Sequence, residues 1–276
     1  MSGTSAAAHA ATIAAPVAAS NAASIAGPSA GPSAATIVTP SRDAAASPTR
    51  LLRAVLAYNL HPEATLHPSW LPPEWPVRRR AEMRGWAADA QQALGAVLRA
   101  RGVFDAAPDW NFDRPVKRLL LMDPPSLRRL AYTASLCAHA PLLRPRRGPL
   151  ATPLRRQAAR LGDGALAFVL ERAPQPTELR MSARELQEHP AGAGRVLAER
   201  GYRLLLGLIA REGKGVGVGV GKGESDIALR RLQRMLPRRL AALAVPALTD
   251  RQAAQLEELM LACIVPERFA RWDWLF

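Results

Sequence analysis

Asp123-Pro124-Pro125-Ser126-Leu127-Arg128-Arg129-Leu130-Ala131-Tyr132-Thr133-Ala134-Ser135-Leu136-Cys137 is the stretch on which the fold turns. Asp is a residue type whose side chain accepts from the open N–H groups of a helix start. Proline fits the first helical position, because its fixed φ suits a helix and the N–H it lacks would have no partner there. Leu127, Leu130, Ala134 and Cys137 then recur every three or four residues, which lines one face of an α-helix. The stripe ends before Pro141. A helix with one apolar face needs a second apolar surface to cover it, so its neighbours decide the fold class.

Those neighbours read as further helices. Leu154, Ala158, Leu161, Ala165 and Phe168 continue the period, with a break expected at Gly162 and Gly164. Ser182 and Glu185 have the S-x-x-E spacing of a capping box, as do Thr249 and Gln252. Leu197, Gly201, Leu204 and Leu208 define one helix; Leu229, Leu232 and Leu236 define another, ended by Pro237. Ala253, Leu256, Met260 and Cys263 point inward from the last, closed before Pro266. Towards the N-terminus, Met83, Trp86, Ala90, Leu94 and Val97 share a face over residues 78–101, and Gly102 stops it. Strand-type alternation is absent outside one glycine tract, and nothing repeats at a solenoid period. The expectation is an all-α fold: a single irregular domain of about seven helices over residues 50–276.

The remaining segments are of other kinds. Residues 1–49 are nearly all Ala, Ser, Thr, Pro and Gly, a composition with little to bury, and are expected to form a disordered leader. Residues 212–224 read as a flexible Gly-rich loop. Residues 59–76 form a proline–tryptophan arm whose heart is Leu66-His67-Pro68-Ser69-Trp70-Leu71-Pro72-Pro73-Glu74-Trp75-Pro76. Proline fixes φ and turns the preceding residue away from the helical region, so this is no helix interior but a stiff extended arm. Each indole offers roughly 150–250 Å² of surface to bury. With little hydrogen bonding of its own, such an arm must dock, either on this chain or on a partner.

The net charge is +14. Of the 37 basic residues only Lys117, Lys214 and Lys222 are lysine, so arginine carries the charge. An anionic partner explains it, and so does GC-rich coding, which favours Arg over Lys. Cys137 and Cys263 are too few for a disulfide framework. The opening residues lack the basic and apolar regions of a signal peptide, and the run Leu204–Ala210 is far shorter than the ~20 residues that span a bilayer. A cytoplasmic protein without direct membrane insertion is expected.

Chemistry-bearing patterns fail on inspection. The tract Gly213–Gly223 places Gly after Lys222 where a phosphate-binding loop needs Ser or Thr, and its strictly alternating glycines do not fit a dinucleotide fingerprint. Cys137 and His139 lie on opposite sides of a helix, a poor metal pair; the thiol reads as core and His139 as a favourable cation at a helix C-terminus. His67, Ser69 and Glu74 superficially resemble a catalytic set, but a proline-rich arm offers no scaffold to hold one. Glu257 and Glu258 read as a solvated face. No catalytic residue, cofactor or metal is expected. The arginine clusters, such as Arg78-Arg79-Arg80 and Arg238-Arg239, are scattered and carry no nucleic-acid-binding motif. No specific nucleic-acid partner is expected, and a basic helical nucleic-acid-binding protein is the alternative reading.

Three segments together resemble the accessory proteins of bacterial type III secretion sorting platforms, the YscK/SctK/OrgA-like group. The most specific is His67-Pro68-Ser69-Trp70-Leu71-Pro72, introduced by residues 59–66. The second runs from Leu127-Arg128-Arg129-Leu130 to Cys137-Ala138-His139-Ala140-Pro141, then from Leu154 to Phe168. The third is the helix from Thr249, with Val265-Pro266-Glu267-Arg268-Phe269 and Trp272-Asp273-Trp274-Leu275-Phe276. The likeness spans roughly residues 51–276; the leader and glycine tract depart from the family pattern. It implies a non-catalytic, mostly helical adaptor. Such a protein sits peripheral to the inner membrane and joins the cytoplasmic domain of the SctD-type ring protein to the SctQ-type pod protein. Trp70, Trp75, Trp272 and Trp274 are the candidate partner contacts, since interface hot spots favour Trp. Trp70 is expected to plug the body and Trp75 to face a partner, with the closing aromatics sharing the arm's dock.

Overall fold

Asp123 caps the central helix as its residue type predicts: its Oδ1 accepts from the Ser126 N–H at 2.8 Å, with Pro124 at the first position. The structure is a computed structural model describing residues 48–276 apart from 77, 79–81, 105–106, 146, 180 and 213–221, and not the side chains of 84 and 222–226. All regular structure among the described residues is helical. The main helices are α1 (Pro48–Leu60), α2 (Ala88–Ala100), α3 (Pro124–Ala138), α4 (Ala151–Ala159), α5 (Ala193–Glu212), α6 (Lys222–Met235) and α7 (Asp250–Glu257). α7 continues without a break through a π-helical segment, Glu258–Ile264, into a last turn, Val265–Arg268. Residues 1–47 and most of the glycine tract, 213–221, lie outside the described residues; Glu212 and residues 222–224, assigned to the Gly-rich loop by sequence, instead belong to α5 and α6. Pro48 and Thr49, assigned to the leader by sequence, instead open α1.

The large core forms around α3 and α5. Leu127, Leu130, Ala134 and Cys137 of α3 are buried as their spacing predicts, and α5 is buried nearly all round through Leu204, Leu205, Leu206, Leu208 and Ile209. Close packing of the two depends on Gly201: a Cβ there would lie 2.1 Å from the Ala131 carbonyl oxygen, well inside contact distance. A second, smaller cluster sits under the arm and α2, made by Leu66, Leu71, Met83, Leu94, Leu98 and Phe104.

Where α3 ends, His139 is buried. Its Nδ1 donates to the Ser135 carbonyl at 2.9 Å, which leaves Nε2 to accept from Arg200 of α5. Burial, reinforced by the Arg200 charge, lowers its pKa from 6.5 to about 4. The expected helix-end cation is therefore a neutral imidazole. Burial likewise pushes the Cys137 thiol up to about 12, consistent with its reading as a core residue.

Local signals within one turn of chain hold well. Gly162 and Gly164 break the helix between α4 and the next turn with φ of 98° and 72°. Thr249 and Gln252 form the full capping box, at 3.3 and 3.0 Å. Others need correction. The helix expected over 78–101 is interrupted: Arg78 and Glu82 are helical, a 3₁₀ turn at Met83–Gly85 and an extended Trp86 follow, and α2 begins at Ala88, burying Leu94 and Leu98 while Ala90 and Val97 face outward. Leu94 and Leu98 share their cluster with Leu66 and Leu71 of the arm, Met83 and Phe104. The Ser182 hydroxyl accepts from the Arg184 N–H at 3.2 Å, a local turn, so the short helix Arg184–Glu188 starts without a capping box. The π-helical segment shifts the register of α7, so Ile264 points inward and Cys263 is only partly buried; Pro266 lies in the first turn of Val265–Arg268 instead of closing the helix. Glu257 is half-buried, and burial with nearby Glu212 raises its pKa.

Two predictions follow from the α3–α5 interface. Gly201→Ala should destabilise the fold by about 1–3 kcal/mol in urea unfolding through overpacking. Gly85→Ala, with nothing near its added methyl, should leave stability within about 0.5 kcal/mol. His139 titrates at 6.5 when unfolded and about 4 when folded, so below 6.5 the unfolded chain binds the extra proton. Its contribution is intact above pH 6.5, is lost as pH falls towards about 4, and amounts to roughly 3 kcal/mol. His139→Gln should flatten that part of the stability–pH curve, measured by chemical unfolding at successive pH values.

Candidate functional site

The arm starts where α1 stops, and Asn59, in the last turn of that helix, ties it to the segment around Asp109. Asn59 Nδ2 donates to the Asp109 carbonyl and its Oδ1 accepts from the Asp109 N–H, both at 2.7 Å. Asp109 in turn holds Lys117 Nζ at 2.6 Å in a buried ion pair. Removing one partner of such a pair strands the other charge, at a cost of about 3–5 kcal/mol.

The arm is not simply extended. Its prolines start two single 3₁₀ turns, Pro62–Thr65 and Pro68–Trp70, and Leu66 and Leu71 plug the smaller cluster. Contrary to the sequence expectation it makes many hydrogen bonds, most of them within its own turns, and three that tie it to the C-terminal end of α6 and the residues just after it. A helix end leaves carbonyls without intrahelical partners. The His67 N–H takes the Arg234 carbonyl at 2.9 Å, and Trp70 Nε1 donates to the Leu236 carbonyl at 2.9 Å. The Arg234 guanidinium lies 3.9 Å from the centre of the Trp70 ring, with Arg238 at 5.6 Å on the same ring.

His67 and Ser69 do meet, with Nδ1 2.9 Å from the hydroxyl, so the arm holds a geometry it was expected not to hold. The contact is structural. The same Nδ1 accepts from the Ser69 N–H at 3.1 Å, and the Ser69 hydroxyl accepts from the Arg238 N–H at 2.8 Å, capping the short helix Arg238–Ala241 from outside. Glu74 is exposed. Pro68 and Pro72 are half-buried beside this knot.

The four nominated rings fall into two separate places. Trp75 packs on Trp86, centroids 5.9 Å apart, over the smaller cluster. Trp272 and Trp274 stack at 6.4 Å against the large core, so the closing aromatics do not share the arm's dock. Arg50 of α1 lies 4.1 Å over Trp274, and Arg271 lies 5.4 Å over Trp272 while reaching Asp123. The indole N–H groups of Trp272 and Trp274 are buried without an acceptor. All four rings are half-buried. Sequence reasoning passed over a more open apolar surface: Leu52, Leu56 and Leu60, four apart on α1, are exposed, as is Trp110 beside Asp109. Their spacing was the available signal.

Many arginines act inside the fold. Arg118 reaches the Phe112 and Leu275 carbonyls at 2.8 and 2.9 Å, Arg155 the Leu143 carbonyl at 3.0 Å, and Arg268 the Asp163 carbonyl at 2.9 Å. No group of three or more His, Cys, Asp or Glu residues among the described residues could hold a metal ion. Comparison of the chain with protein-family models, with curated proteins and with solved structures finds no match.

The dock gives a graded test. Ser69→Ala, which strands the Arg238 N–H, should cost about 1 kcal/mol, as loss of a helix cap does. Trp70→Ala should cost about 3 kcal/mol. Trp70→Phe should fall between them, since it keeps the ring for Arg234 and loses the bond to Leu236. Equilibrium unfolding of the three variants checks the order.

Proposed function

We propose that this chain is a non-catalytic adaptor of a bacterial type III secretion sorting platform, joining the cytoplasmic domain of the SctD-type inner-membrane ring protein to the SctQ-type pod. The observation that carries the reading is the run His67–Pro72. The residues that resemble the family are also those that bind the arm to the end of α6, so the likeness falls on a working structural unit. A rigid helical body with a fixed arm suits a connector that must hold two partners at a set distance. No described helix is long and apolar enough to cross a membrane, in keeping with a peripheral position on the ring.

The arginine pattern bears on the nucleic-acid alternative. Guanidinium groups that cap carbonyls or lie on indole rings already have structural work, which favours arginine as an internal fastener over arginine as a phosphate reader.

The test is co-purification with the ring protein's cytoplasmic domain and the pod protein of the same secretion system. The chain should retain each alone and bridge the two in a three-component mixture. Recovery of neither, while the pod protein still binds its other partners, overturns the proposal. In a parallel mobility-shift titration, DNA and RNA binding should vanish by about 200 mM salt; sequence-specific binding that survives would favour the alternative.

A further inference from the structure

α1 is apolar on two sides, and the fold covers one of them. Val55 and Tyr58 face the body and are buried. Leu52, Leu56 and Leu60 face away and stay 56%, 36% and 56% exposed. Four residues apart, they form one stripe about 12 Å long over an arc of about 80°. A helix that is apolar nearly all round belongs inside a core or under a partner, because its open stripe leaves apolar area in water.

A second segment extends the stripe. Asn59 holds both backbone groups of Asp109 at 2.7 Å, which brings Trp110, 52% exposed, to the Leu60 end of the helix. The three leucines and Trp110 are four of the five large apolar side chains left exposed among the described residues; the fifth, Val97, lies on α2. Single exposed leucines are ordinary, but a row of them ending at a tryptophan has the make-up of a contact surface. Helical geometry puts Asn59 on one side of the stripe and Arg53 on the other. α1 contains no Asp or Glu, and Arg50 lies over Trp274, so the exposed Arg53 sets the charge beside the stripe.

We propose that the outer face of α1 is the docking site for an acidic amphipathic helix of a partner protein, its apolar stripe on Leu52, Leu56, Leu60 and Trp110 and a carboxylate beside Arg53. Charge selects this occupant over a second copy. Another α1 would bring its own Arg53 to the same edge, on a chain that also carries +14. A standard interface buries about 800 Å² per side, more than four half-open side chains offer, whereas a helix laid along a stripe is held by a few anchors three or four residues apart. The surface stands on α1 and Trp110, independently of the adaptor reading.

The probe is a fluorescein-labelled peptide of about 18 residues, long enough to hold a helix, with leucine at every third or fourth position and glutamate and alanine elsewhere. Two control peptides replace its glutamates by lysine or its leucines by serine. Titration with the full-length protein at about 200 mM salt, where long-range attraction is screened, should give saturable anisotropy with the Glu/Leu peptide. Either control should bind at least about tenfold more weakly. Leu56→Ser and Arg53→Glu should each weaken binding of the Glu/Leu peptide about tenfold, and Val97→Ser should leave it unchanged. Absence of saturable binding, equal binding of a control peptide, undiminished binding in Leu56→Ser or Arg53→Glu, or an equal loss in Val97→Ser overturns the proposal. So does a concentration-dependent dimer in sedimentation velocity that Leu56→Ser abolishes, since a second copy then covers the face. Circular dichroism checks that the variants fold; should one fail, the three-peptide comparison on the unaltered protein decides alone.

Discussion

The body of this protein hangs on one backbone contact, the face of α5 at Gly201 laid against the Ala131 carbonyl of α3. Without a side chain in the way, the two helices approach closely enough for leucines on several sides of α5 to be buried together. α4, α6 and α7 then find apolar surface to cover. The same closeness brings Arg200 to His139, so the polar group at the end of α3 is satisfied by the helix it packs against. One absent methyl thus sets the spacing of the core and places Arg200 beside a histidine that burial already keeps neutral.

A second fastening joins the N-terminal part to this body. The arm meets the end of α6, where carbonyls are left over by the helix itself, and fills the need with the His67 N–H and the Trp70 indole. Arginine does comparable work elsewhere, through Arg118, Arg155 and Arg268. A chain with few lysines and many arginines gains from this: the guanidinium fork reaches carbonyls and lies flat on rings, which a compact ammonium does less well. The high positive charge therefore reads partly as a by-product of how helix ends are closed.

The parts legible in the sequence were those whose cause lies within a turn of chain. Asp123-Pro124, Thr249 with Gln252, and Gly162 with Gly164 each act on backbone a few residues away, and each did what its chemistry requires. The stripe of α3 was legible because it faces a single neighbour. α2 was misread because the cluster it packs into includes Leu66 and Leu71, which are distant in sequence. The π-helical register of Glu258–Ile264 has no local signature, so Cys263 and Ile264 exchanged roles. At the arm, the prolines announced a non-helical segment and the tryptophans a need to dock. Neither said where, because the acceptors on α6 lie far along the chain.

Trp70 and the carbonyl it binds are separated by 166 residues. Ribosomes add roughly 5–20 residues per second, so the arm waits on the order of ten to thirty seconds before its acceptor exists. During that interval its indoles and leucines have nothing of their own chain's C-terminal half to settle on, and contacts of such long range form slowly even once both sides are present. Leu66, Leu71 and Trp75 can meanwhile pack on Leu94, Leu98 and Trp86 nearby, so Trp70 and the His67 N–H are the groups left waiting. The order of synthesis, as much as the finished contact, governs whether the two ends of this chain find each other.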